Sequence, residues 1–488
     1  MQVVGDHLMD IRQFLLVCIV FAVPLWLMAK RRDDLLVQWI CLTVAVDIFD
    51  PHLIINAPAA RVVGLLVLPS SLAALPAVRK ITAGKALWFY FLYLGFMAVV
   101  FGFVFPWSSE GFDRLPTQLS QVRAVVYFCR KTADLSLAIF LARYLWKTRR
   151  PDRLIEWFVY GTSIAAVGAI VQRVTGLDLY AIFTGADLLG LDDRMRGFDY
   201  EPRGLGLIVG QGLLLALLLY ARNRSGKRFA IVLLHIVALF LAVSTSSIFV
   251  VAVGAAALFF FDPRSRKTVA TPQMLVFVPC AALLLFSLQS TFVESWYSNV
   301  GLRLSEKSGS ASGSGVEEFA LRQDLFDSAA IMFFVAQPQR LLTGVGPGLS
   351  GLATSDYVPF SDLFGWAVGA PEGLNTGPQV GLLRELCDGG LVGLILGWIF
   401  VSASGRALLQ LSKSNEAGAD QWQIARAAFW AAIAVYLVQA SPLSASFSVF
   451  MGIGIAASSV AASSRLPAQR TAQLAARVPS ILSWDLGV

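Results

Sequence analysis

The sequence predicts an all-α protein: a polytopic bundle of membrane-spanning helices. Three observations predict it. Hydrophobic residues make up 56% of the 488 positions and charged residues only 15%, whereas soluble proteins carry about 25% charged residues. Apolar segments of about 20 residues recur along the chain, each long enough to cross a bilayer as a helix. The basic residues stand in short clusters between these segments, a pattern that orients membrane helices and differs from a nucleic-acid-binding stripe. The net charge of +7 is therefore assigned to orientation, and no nucleic-acid partner is expected.

Taken in order, spans are expected at 12–29, 35–50, 60–77, 87–106, 119–143, 153–173, 203–221, 228–243, 246–262, 272–290, 378–402, 424–441 and 444–462. That reading gives thirteen spans within a range of 12–14. Pro69, Ser70 and Ser71 interrupt the third span, and only Ser244-Thr245 separates the eighth from the ninth. One membrane domain covers 1–462, followed by a tail at 463–488. The five cysteines lie in or beside apolar segments and the three histidines are scattered. Neither spacing indicates a disulfide framework or a zinc site, and no cofactor is expected. Asp6 and Asp10 precede the first apolar run, unlike the basic start of a cleavable signal peptide.

Orientation follows from the loops. Lys30-Arg31-Arg32, Arg79-Lys80, Lys147 through Arg153, Arg222 through Arg228, Arg264 through Lys267, Arg406 to Arg426, and the tail arginines all fall on one side of a thirteen-span chain. The positive-inside rule makes that side cytoplasmic, with the N-terminus external and the C-terminus cytoplasmic. Segments 51–59, 107–118, 174–202 and 291–377 then face outward. The last is far longer than an ordinary connection, and such loops are usually functional. It holds a flexible run, KSGSASGSG at 307–315, then EEFALRQDLFDSAAIMFFVAQ at 317–337. The apolar residues of that second stretch recur at helical spacing, so an amphipathic helix is expected there. A glycine-rich turn, TGVGPGLSG at 343–351, comes next.

External arginines run against this charge bias. Arg194, Arg196 and Arg203 crowd the start of the seventh span, and Arg303, Arg322 and Arg340 stand in the long loop. A guanidinium keeps its charge and matches phosphate oxygens bidentately, and a helix start adds N–H donors. The plainer alternative pairs these arginines with Asp192, Asp193, Asp199 and Glu201. In the fifth span, Arg123, Arg130 and Asp134 share one helix face. Either Arg130 and Asp134 neutralise each other across one turn, or they line a polar path descending from outside. Asp47, Glu385 and Asp388 are further candidates for such a path. Gly389, Gly390 and Gly393 thin the eleventh span, for which close helix packing is the ordinary reason.

Several of these pieces stand in an order that resembles the O-antigen polymerase and ligase family of bacterial envelope enzymes. RMRGFDYEPRGLG at 194–206 resembles that family's arginine-glycine-proline segment before a helix. STSSIFVVAVGAA at 244–256 is similar to its serine-rich turn. LRQDLFDSAAIMFFVAQPQRLLTGVGPG at 321–348 is similar to its arginine, amphipathic helix, proline and glycine turn. NTGPQVGLLRELCDGGLVGL at 375–394 resembles the segment closing its long loop. The resemblance implies an inner-membrane glycosyltransferase whose site faces the periplasm. Its substrate would be an oligosaccharide on undecaprenyl pyrophosphate held in membrane lipid, and a chain-length regulator protein is a partner the family allows.

The resemblance makes Arg322 with Arg196 or Arg194 the expected functional arginines. Arg203, Arg340, Arg123, Arg130 and Gln379 are expected to contribute to binding, and Glu201 and Asp388 are the carboxylates available as a base. Where the family's ligases carry a histidine, eleven positions before Gly390, this chain has Gln379, which cannot act as a general base. That favours a polymerase, extending a glycan on one lipid carrier by transfer from another, over a ligase moving it onto lipid A core. A flippase or exporter is the alternative of a different class, although internal repeats and broken midplane helices, common in transporters, are not evident in the sequence.

Overall fold

The computed structural model describes residues 11–46, 59–107, 120–184, 195–199, 202–242, 245–262, 327, 329–354, 357, 378, 380–414, 418–439 and 444–464. These residues are helical or connecting, with no strand among them. In chain order the helices are α1 (Ile11–Ala29), α2 (Asp33–Ala45), α3 (Ala59–Leu66), α4 (Leu68–Val78) and α5 (Thr82–Val99). There follow α6 (Ser120–Thr148), α7 (Pro151–Thr175), α8 (Leu179–Thr184), α9 (Pro202–Arg222), α10 (Gly226–Ala242) and α11 (Thr245–Phe261). The last five are α12 (Arg340–Thr343), α13 (Ser350–Ala353), α14 (Gly381–Ser412), α15 (Ala419–Val438) and α16 (Ser444–Ser464).

Among the described residues, five helices are long and apolar enough to cross a membrane: α5 with its continuation, α7, α9, α14 and most of α16. The α3–α4 pair makes a sixth if counted as one span, but it bends by 68° at Val67. That bend is the structural form of the interruption at Pro69, Ser70 and Ser71. It also supplies a broken helix where none was evident in the sequence. Apolar stretches of α1 and α11 are shorter. The expected span at 272–290 lies outside the described residues, as do the tail and most of the long loop. Of the amphipathic helix expected at 317–337, residues 329–336 are helical, with Ala329, Ala330, Phe333 and Phe334 buried.

A single large core joins α2, α6, α7, α9, α11, α15 and α16, with α9 buried around most of its circumference. α5 packs on α14 and α6 on α16 at the flank of this core. Leu92, Phe96, Leu391, Ile395 and Trp398 remain exposed there, as helices hydrophobic all round do when they meet lipid.

Charge is sorted along the bundle. Asp33 pairs with Lys147 at 3.7 Å, Glu156 with Arg228 at 2.6 Å and Arg222 with Asp262 at 2.7 Å. Arg222 also reaches Gln423 and Arg426 reaches the Phe261 carbonyl. These contacts join the described basic segments into a polar layer at one end. The shallow crevice lined by Glu156, Tyr160 and Arg228 belongs to that layer.

Candidate functional site

A second group of charges gathers where α3, α5, α6, α14 and α15 meet. α6 brings three cations to this place because Arg123, Arg130 and Lys131 return to one side of the helix at seven- and eight-residue spacings. α14 supplies Arg384, Glu385 and Asp388 from its first two turns. Arg61 of α3 reaches across to Asp134, Nε to Oδ1 at 3.0 Å and Nη2 to Oδ2 at 3.2 Å. This corrects one reading of the sequence: Asp134 is neutralised by Arg61, 73 residues away in the chain, whereas Arg130 turns onto the ring of Tyr127 at 5.5 Å.

Glu385 is fully engaged. It accepts hydrogen bonds from Tyr90 of α5, from Tyr436 of α15 at 2.5 Å and from Lys131 at 3.4 Å. Four helices are thereby tied at one carboxylate. Asp388, one turn further on, is entirely buried and differs. Its Oδ1 accepts from the Gly348 N–H at 3.2 Å, while its Oδ2 has no hydrogen-bond partner among the described residues. Arg384 donates to the Tyr127 hydroxyl and lies over the same ring at 5.6 Å.

The glycine-rich turn is what brings Asp388 its partner. Gly344, Gly346 and Gly348 all adopt positive φ, which permits a tight path into the bundle. The Val345 N–H donates to the Cys387 carbonyl at 2.7 Å, and the Trp107 indole donates back to the Val345 carbonyl at 3.2 Å. Tyr93 donates to the Thr343 carbonyl at 2.8 Å. α14 yields to make room: Gly390 sits at φ 60°, and the helix is kinked there. A Cβ on Gly390 would lie 2.5 Å from the Gly344 nitrogen and from the Leu342 oxygen. Gly390 therefore seats the turn, whereas Gly389 and Gly393 face Tyr90, Tyr93 and Leu94 of α5, the helix packing expected of this span.

The expected site residues separate. Asp388, Arg123 and Arg130 stand in this cluster, and Arg340 lies beside it, its guanidinium over Phe101 at 4.7 Å and Trp107 at 5.3 Å. Arg196 is elsewhere. It is completely buried, paired with Asp178 of the α7–α8 connection through Nε at 2.9 Å and through Nη2, and stacked on Tyr180 at 4.8 Å. Gln172 of α7 holds the backbone N–H groups of Arg196 and Gly197. Among the described residues Asp178 pairs with Arg196 and is outside the set the sequence suggested, of which Asp192, Asp193 and Glu201 are not described. Arg203 occupies the first turn of α9. Arg194, Glu201, Arg322, Gln379, Asp47 and Arg303 lie outside the described residues.

Sequence reasoning did not single out Arg61, Tyr90, Tyr127, Lys131, Arg384 or Tyr436. A usable signal was present for some. Arg384, Glu385 and Asp388 place three ionisable groups within five residues of an apolar span, a costly arrangement that marks function by default.

Electrostatically, Tyr127 is the hub, sensing Arg61, Arg123, Arg130, Lys131 and Arg384. Among the described residues the acids Asp134, Glu385 and Asp388 stand in the same cluster, and Asp327 acts on the neighbouring Cys387. A gathering of cations is expensive in apolar surroundings, and opposite charge, from acids or from an anionic ligand, offsets that cost. Bidentate donors such as Arg384 and Arg130 suit phosphate oxygens. No protein-family model matches the chain, and no curated protein does either.

Proposed function

We propose that the protein is a membrane glycosyltransferase that polymerises glycans carried on a polyprenyl pyrophosphate, with its site at the external ends of α6 and α14. The supporting observation is the gathering of arginine and lysine around Tyr127, next to a carboxylate with one oxygen uncommitted. The order of sequence motifs adds the family-level expectation. On this reading the chain has thirteen spans in the inner membrane, the glycine turn faces the periplasm, and the polar layer of Lys147, Arg222 and Arg228 faces the cytoplasm.

In the transfer, an acceptor hydroxyl oxygen attacks the anomeric carbon of the lipid-linked glycan. The new glycosidic C–O bond forms as the bond to the phosphate oxygen breaks, and the electron pair leaves with the pyrophosphate. Arg384, Arg130 and Lys131 stabilise the charge that develops on that leaving group. The hydroxyl proton passes to Asp388, the one described acid of the cluster with a free acceptor atom. Glu385 is already saturated with donors and is a poor base by comparison.

A second reading has one observation in its favour. The α3–α4 pair is broken inside the bundle and carries the Arg61–Asp134 ion pair, and broken helices with intramembrane charge are common in transporters. Purified protein in vesicles, given lipid-linked repeat units, separates the readings. A ladder of lengthening lipid-linked glycans that Arg384→Ala and Asp388→Asn abolish, with insertion intact, supports the polymerase. Movement onto a lipid A core means a ligase, and redistribution between leaflets at unchanged glycan length means transport.

A further inference from the structure

We infer that Tyr127 and Asp388 together form a subsite for an alcohol hydroxyl. Tyr127 would then be a further catalytic residue that orients the acceptor oxygen, a role that deepens the polymerase reading and rests on it. The argument is one of complementary hydrogen bonding. Among the described residues, the Tyr127 oxygen accepts from Arg384, and no group accepts the proton of its O–H. Asp388 Oδ2 is buried and receives no donor. One group thus offers an uncommitted donor and the other an uncommitted acceptor.

Gly348 adjoins both side chains, Asp388 through its N–H and Tyr127 at the root of the ring. The Gly348 N–H binds Asp388 Oδ1 at 3.2 Å, and the Gly348 Cα packs against the Tyr127 ring so closely that a Cβ there would strike it. Arg384 touches Tyr127 and acts electrostatically on Asp388. A phosphate oxygen can accept from Tyr127 but has nothing to give a carboxylate. An ammonium group has donors but no acceptor. A hydroxyl satisfies both, accepting from Tyr127 and donating to Asp388, and it is the group whose proton the carboxylate must take.

The test uses binding as well as turnover. The probe is a short-chain polyprenyl-pyrophosphate disaccharide, compared with the same molecule after methylation of every sugar hydroxyl, on the full-length protein in nanodiscs. Wild type should prefer the free-hydroxyl probe by about tenfold or more, the worth of one or two hydrogen bonds to a buried charged pair. Tyr127→Phe, which keeps the ring under Arg384 and Arg130, and Asp388→Asn should each bring that preference close to one, with affinity for the methylated probe unchanged. Tyr127→Phe should also lower kcat for elongation at least tenfold with the donor KM unaltered. A preference that survives in both variants, or a wild type that does not distinguish the probes, overturns the hydroxyl subsite. Should Tyr127→Phe fail to fold, Asp388→Asn carries the same comparison. If wild type shows the preference but never elongates a glycan, the subsite stands and the polymerase reading falls. If Tyr127→Phe elongates like wild type, the reverse holds.

Discussion

Two acids one residue-turn apart on α14 have opposite prospects, because their neighbours differ. Glu385 is bound by Tyr90, Tyr436 and Lys131, so its charge is spent on joining helices. Glu385→Gln keeps the shape but places an amide donor among donors and leaves Lys131 uncompensated. We expect a lowered melting temperature in detergent together with reduced activity. Asp388→Asn changes one atom that has no described partner, so it should lower kcat by a factor of about 100 or more, the usual worth of a general base, while melting close to wild type. Arg196 behaves as structure. Asp178→Asn removes one partner of the buried Arg196 guanidinium, a loss that thermal melting should register as a lowered melting temperature without a specific change in donor KM.

At the level of helices and turns, the decisive feature is the seating of the glycine turn in the kink of α14. Gly390→Ala places a Cβ against the Gly344 and Leu342 backbones at a residue held at φ 60°. Such strain is worth roughly 2 kcal/mol. The turn should lift from α14 and expose the Trp107 indole, which accessibility of Trp107 to a soluble quencher would detect. A conversely coupled pair is Arg61–Asp134: either single alanine substitution should destabilise the protein, and the double exchange Arg61→Asp with Asp134→Arg should recover part of the loss. Helix positions were legible in the sequence because hydropathy is local. The expected spans 87–106, 119–143 and 203–221 meet helices that begin or end within a few residues of them. Partners were not legible, because they are set by packing between distant segments. Asp134 had a cation one turn away in Arg130 and yet binds Arg61 from a bent helix; Arg196 had acids on either side and binds Asp178. Nothing local in the sequence ties Tyr90 and Tyr436 to Glu385; α5 and α15 carry them to it.

For the whole molecule, the account requires two chemically different ends. One is the polar layer joined by Asp33–Lys147, Glu156–Arg228 and Arg222–Asp262; the other carries the glycine turn and the mouths of α6, α9 and α14. Cysteines introduced singly at Ser225 and at Gln337 should react from opposite sides of intact cells, Gln337 from outside and Ser225 only after permeabilisation. Between these ends, the gathering of guanidinium and ammonium groups around Tyr127 is what a diphosphate is held to meet. Binding of a short-chain polyprenyl pyrophosphate to the purified protein, wild type against Arg384→Gln, examines that idea without assuming any reaction. The account predicts saturable binding that weakens at least tenfold in the variant and declines as ionic strength rises; equal affinity in the two proteins, or no binding to wild type, would contradict it.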